Sequence, residues 1–95
     1  MPDLRLTVID PSGLHARPAA RFVQAASRFT SRIAIRHDGR EADAKSLIAL
    51  LGLTIRPGAE ITLTADGPDD DAALAALLEE LGPAVQPSPN GAEQP

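Results

Sequence analysis

Arg32-Ile33-Ala34-Ile35-Arg36-His37-Asp38-Gly39-Arg40-Glu41-Ala42-Asp43 is the stretch on which the fold turns. Ile33 and Ile35 alternate with Arg32, Ala34 and Arg36, the period of two that buries one face of a strand and leaves the other wet. Asp38-Gly39 then supplies two residues that accept the positive φ angles of a two-residue hairpin turn. The returning strand, Arg40 to Asp43, is short and polar, as edge strands often are. A tight hairpin commits its strands to antiparallel pairing, so the remaining elements are expected to assemble around an antiparallel sheet.

Upstream, Leu4, Leu6 and Val8 alternate with Arg5 and Thr7 in a first strand that ends at Asp10-Pro11-Ser12-Gly13. Ala19, Phe22, Val23, Ala26 and Phe29 follow at spacings of three and four, the period of an amphipathic helix, with Pro18 in its first turn, where a missing N–H costs nothing. Downstream, Ser46 is placed to cap a short helix from Leu47 to about Leu53. Leu47, Ile48, Leu50, Leu51 and Leu53 are too many apolar residues for one buried face, so some are expected to be exposed. Arg56-Pro57-Gly58 forms a turn, and Ile61, Leu63 and Ala65 alternate with Thr62 and Thr64 in a fourth strand closed by Gly67-Pro68. Asp69, Asp70 and Asp71 put negative charge at the start of a last helix, where its dipole favours it, and Leu74, Leu77, Leu78 and Leu81 make its core stripe before Gly82-Pro83 stops it.

The order β-α-β-β-α-β-α predicts an α+β two-layer sandwich, a four-stranded antiparallel sheet with three helices on one face. It occupies residues 1–82 as one domain. Residues 83–95, with four prolines and no apolar period, are expected to be a disordered tail.

Of the 95 residues, 43% are hydrophobic and only Phe22 and Phe29 are aromatic, so the core must be aliphatic and no Trp or Tyr is present to stack on bases. A net charge of −4 argues against nucleic acid or an anionic membrane as partner. The absence of cysteine removes disulfides, thiol nucleophiles and thiolate metal sites, and no metal or cofactor is expected. No apolar run reaches the roughly eighteen residues of a membrane span, and no secretory leader pattern opens the chain. The expectation is a cytoplasmic monomer whose partners are proteins or small anions.

Chemistry concentrates at Gly13-Leu14-His15-Ala16-Arg17-Pro18-Ala19-Ala20. A helix N-terminus leaves N–H groups without intrahelical partners and carries partial positive charge, which suits a phosphate. The pattern puts His15 at that pole with Arg17 beside it. A neutral imidazole can act as a nucleophile, and the dipole with Arg17 should lower its pKa and keep it neutral. The fork of donors on Arg17 suits a phosphoryl group. At about 100° per residue, Arg17, Arg21, Gln24 and Arg28 form one exposed stripe of this helix. A lone histidine near a helix start is most often a solvated cap. His37, at a strand end with no second histidine or carboxylate placed by the sequence, receives no role.

Gly13 to Ala20 resembles the active-site signature of the HPr family, the histidine phosphocarriers of the bacterial phosphoenolpyruvate-dependent phosphotransferase system. Ala44-Lys45-Ser46-Leu47-Ile48 is similar to that family's serine-site segment, and the resemblance extends over about residues 3 to 82. It implies that His15 is phosphorylated on Nδ1 by phospho-enzyme I and passes the group to enzyme IIA components of sugar permeases, with Arg17 pairing the phosphoryl group. It also implies a docking patch of Ala16, Ala20, Leu47, Ile48 and Leu51. In some members the serine matching Ser46 is phosphorylated by a dedicated kinase and released by a phosphorylase. Gln24 and Ser27 stand where many members carry lysine, which weakens the basic rim. Two other roles fit the same residues: a paralogue in a regulatory branch, nitrogen-related or serving a dihydroxyacetone kinase relay, and a small α+β interaction domain in which His15 is only a cap.

Overall fold

The computed structural model describes residues 3–11 and 16–87, with residues 16 and 17 described by their backbone. Its elements are β1 (Asp3–Val8), α1 (Ala16–Ala26), β2 (Arg32–His37), β3 (Arg40–Asp43), α2 (Leu47–Leu51), β4 (Glu60–Asp66), α3 (Asp70–Leu81), a 3-10 turn (Gly82–Ala84) and β5 (Val85–Pro87). The strands form one antiparallel sheet in the order β3-β2-β4-β1-β5.

The hairpin forms as its sequence dictates. Asp38 and Gly39 have φ of 55° and 77°, the two positive angles of the turn whose twist matches its flanking strands. Register then places one apolar set on one face. Ile35 stands opposite Leu63 and Ala42, Ile33 opposite Ala65, and Leu6 opposite Ile61. All of these side chains are buried, whereas Arg5, Arg32, Arg36 and Glu41, of opposite parity, are exposed. The helices cover the apolar face and close the core with Ala19, Phe22, Ala25 and Ala26 from α1, Leu50 from α2, and Ala73, Leu74, Leu77 and Leu81 from α3.

The sheet has five strands where the sequence pattern predicts four. Gly82, at φ 50°, ends α3, and the 3-10 turn delivers Val85 opposite Val8, where it is buried. Three residues flanked by prolines are too few to show a strand period, so the sequence reading assigns this stretch to the tail. Residues 88–95 lie outside the described residues. The last helix also departs in detail: Leu78 is 38% exposed, because the buried stripe runs through Ala73, Leu74, Leu77 and Leu81.

Asp69 does more than place charge at the start of α3. Its carboxylate accepts the backbone N–H of Thr30 (3.0 Å) and of Ser31 (2.9 Å), and both their hydroxyls. Ser31 Oγ in return accepts the Asp69 N–H at 3.2 Å. The Ser31 hydroxyl first, and the Thr30 N–H next, hold the Asp69 pKa down at about 2. The α1–β2 loop is thereby fastened to the start of α3. Beside it, a Cβ on Gly67 would lie 2.7 Å from Ser31 Cα, so this close approach admits glycine alone.

Candidate functional site

His15 lies outside the described residues, as do Ser12, Gly13 and Leu14. Helix α1 begins at Ala16, the next residue, and Pro18 falls in its first turn as the sequence pattern predicts. Behind that start, Ala19 and Phe22 are fully buried and Ala20 is half-buried, so the apolar stripe anchors the helix on the sheet. The opposite stripe faces solvent at Arg21, Gln24 and Arg28. Arg21, Gln24 and Arg28 line, with Glu80 of α3, an open groove of about 430 Å³ between the two helices. Ser27 is exposed, and its hydroxyl donates to the Val23 carbonyl at 2.8 Å.

Helix α2 packs against α1. It is a single turn and a half, ending at Leu51 rather than near Leu53. Ser46 caps it, in extended conformation, with its Oγ accepting the Ala49 N–H at 3.2 Å. The surplus of apolar residues resolves as expected. Leu50 and Leu53 are buried, Leu47 is half-buried, and Ile48 and Leu51 are 87% and 39% exposed. An isoleucine exposed to that degree contributes little to the core. Of the residues expected to form a docking patch, Ala20, Leu47, Ile48 and Leu51 have described side chains. Of Ala16 and Arg17 only the backbone, in the first turn of α1, is described.

Two basic residues support α2 and α1 without any signal in the sequence. Arg40 Nη2 donates to the Gly52 carbonyl at 3.0 Å, placing a cation at the C-terminal end of α2. Lys45 Nζ donates to the Phe29 carbonyl at 2.7 Å, just past the end of α1. Their partners lie 12 and 16 residues away, beyond the reach of any local pattern. His37 is half-buried with Nδ1 3.2 Å from the Glu60 carbonyl, a contact in which the Nδ1–H tautomer donates. No group of His, Asp and Glu among the described residues is arranged to hold a metal ion. No helix among them is long and apolar enough to cross a membrane.

An antiparallel sheet covered on one face by three helices, with a short helix packed on α1 that exposes apolar side chains, defines a small α+β protein. Residues 3–81 match the family model for the phosphorylation site of the HPr component of the phosphotransferase system. The chain is 43% identical over 81 residues to the phosphocarrier protein HPr of Lysinibacillus sphaericus, covering 82% of this chain and 92% of that one. It is 51% identical over 67 residues to the HPr-like protein Crh of Halalkalibacterium halodurans, covering 70% and 80%. Among solved structures, HPr of Bacillus anthracis superposes with a TM-score of 0.78 at 43% identity, covering 83% of this chain and 94% of that one. The chain belongs to the HPr family. It is a phosphocarrier of the phosphotransferase-system type and not an enzyme in its own right.

Proposed function

We propose that the chain carries a phosphoryl group on His15, taken from phospho-enzyme I and delivered to enzyme IIA domains of sugar permeases. The carrying observation is the position of His15 in sequence immediately before the first residue of α1, in a stretch that bears the family's signature. A neutral imidazole nitrogen attacks phosphorus with its lone pair as the bond from phosphorus to the donor breaks. Arg17 and the helix N-terminus offset the charge of the moving group. Delivery reverses these steps, the ring nitrogen becoming the leaving group. Docking falls to Ile48 and Leu51 with Leu47, Ala16 and Ala20, and Arg21 and Arg28 supply the charged rim.

Incubation with phosphoenolpyruvate and enzyme I should add one acid-labile phosphoryl group, absent in His15→Ala. Undiminished labelling of that variant, or label on His37, would overturn the assignment.

A second reading is favoured by the similarity to proteins named Crh. In it the chain serves a regulatory branch, and Ser46 is a phosphorylation site acted on by a kinase and a phosphorylase. A phosphate there would add up to about two negative charges beside the docking patch while leaving the helix dipole satisfied. Transfer from His15 to sugar-permease IIA domains in a reconstituted relay favours the first reading. Acceptance on His15 without such transfer favours the second.

A further inference from the structure

Val8, Ile9 and Asp10, at the exit of β1, are bracketed on both sides by backbone hydrogen bonds. On the β4 side, Val8 N–H donates to the Ala59 carbonyl (2.9 Å) and the Val8 carbonyl accepts from Gly58 N–H (2.7 Å). On the other side, the N–H groups of Ile9 and Asp10 both donate to the Ala84 carbonyl, at 2.8 and 3.2 Å. β5 continues this second flank, with Val85 opposite Val8, Gln86 opposite Thr7 and Pro87 opposite Leu6. In an antiparallel ladder the directly bonded pairs recur at every second residue. The bond between Ile9 and Ala84 therefore makes Thr7 and Gln86 the next bonded pair.

Val85 is 7% exposed, so the segment is held by packing as well as by its backbone. The family match stops at residue 81, and all of this second flank, from Gly82 to Pro87, lies beyond it. The flank grips the exit of β1.

We propose that Gly82–Pro87 is a positioning element for the chain that leads to His15. By holding Ile9 and Asp10 on the Ala84 carbonyl, it sets the point and direction from which the chain enters the five residues that end at His15. The inference rests on the reading of His15 as the acceptor. None of these residues touches the phosphoryl group; they act through the path of the backbone. Group transfer is steep in geometry, and a misplacement of about 1 Å arising far from the reacting atoms can cost on the order of a hundredfold in rate. A second anchor on the strand exit is therefore a means of controlling the transfer rate.

The test uses the full chain with Gln86→Pro, which removes the N–H of the second bonded pair, and Gln86→Ala, which keeps it. Amide exchange at Ile9 and Asp10 and the rate of phosphoryl acceptance from enzyme I are measured well below the melting transition. In Gln86→Pro both amides should exchange faster and acceptance should slow roughly tenfold, with the far-ultraviolet spectrum kept. Gln86→Ala should match the parent. Should Gln86→Pro melt below the assay temperature, Val85→Ala loosens the same flank and is read the same way. Faster exchange with an unchanged rate would overturn the proposal, and so would unchanged exchange in both loosened variants. If the parent protein itself accepts no phosphoryl group, the assignment of His15 fails, and that result is distinct from either.

Discussion

Gly52 and Thr54, two residues apart at the end of α2, have exchanged the conformations that their side chains favour. Gly52 lies at φ −65° and ψ −16°, which any residue adopts, and Thr54 lies at φ 53°. The left-handed region costs a residue with a Cβ about 1–2 kcal/mol, and a β-branched one is an outlier there. Helices commonly end with glycine in that conformation. Here the glycine stands two residues early.

Both positions should accept the natural correction. Thr54→Gly relieves the left-handed strain against the entropy cost of glycine, for a net gain of about 0.5–1 kcal/mol. A Cβ on Gly52 would meet only ordinary contacts at 3.4 Å, so Gly52→Ala should add about 0.4–1 kcal/mol. Thermal unfolding of a domain this size should then shift upward by roughly 4–8 °C per kcal/mol. A fall in the melting temperature for Thr54→Gly would show that the threonine makes compensating interactions.

The fastening of Asp69 to Thr30 and Ser31 predicts a specific acid limb. The folded pKa, about 2, lies below the ordinary carboxylate value, so the stabilisation is present above about pH 4 and is lost as the pH falls toward 2. In Asp69→Asn the charge is absent at every pH. That variant should be less stable than the parent near neutrality, and the gap should close under acid. Denaturant titrations across this range check it, and a constant gap would remove the carboxylate charge from the account.

Thr7 Oγ1 is buried without a hydrogen-bond partner. An unsatisfied buried hydroxyl is a liability that an isosteric apolar group removes, and valine has the higher strand propensity in such a half-buried site. Thr7→Val should raise stability by about 0.5–1 kcal/mol in chemical denaturation. A loss would reveal an ordered water on the hydroxyl.

How far these features could be read in advance depends on their range along the chain. Asp38-Gly39, the cap at Ser46 and the alternation in β1, β2 and β4 are local, and each appears in the structure at the residues that encode it. The sequence also signals surplus apolar residues on α2 but not which ones are exposed, since a helix this short has no stable period. The link between Asp69 and Ser31 spans 38 residues, and the bond from Arg40 to Gly52 joins separate elements, so no window of sequence contains either. β5 escapes for a different reason: three residues among prolines look like tail, and only the burial of Val85 against Val8 makes them a strand. For His15 and Arg17 the motif carries an expectation of chemistry, and their side chains lie outside those described.

Within α2, Ile48 and Leu50 stand on opposite faces of one turn, and two substitutions should separate docking from stability. Ile48, 87% exposed, supports no core contact of consequence. Ile48→Glu should change stability by no more than about 0.5 kcal/mol, yet it sets a charge where a partner must remove water. Binding to enzyme I should weaken at least tenfold, about 1.4 kcal/mol. Leu50, two residues on, is 1% exposed and belongs to the core. Leu50→Ala should cost about 2–5 kcal/mol of stability and, in the fraction that remains folded, leave partner affinity close to that of the parent. Calorimetric titration with enzyme I, alongside denaturation of each variant, measures both quantities. Unchanged affinity for Ile48→Glu would remove Ile48 from the docking surface.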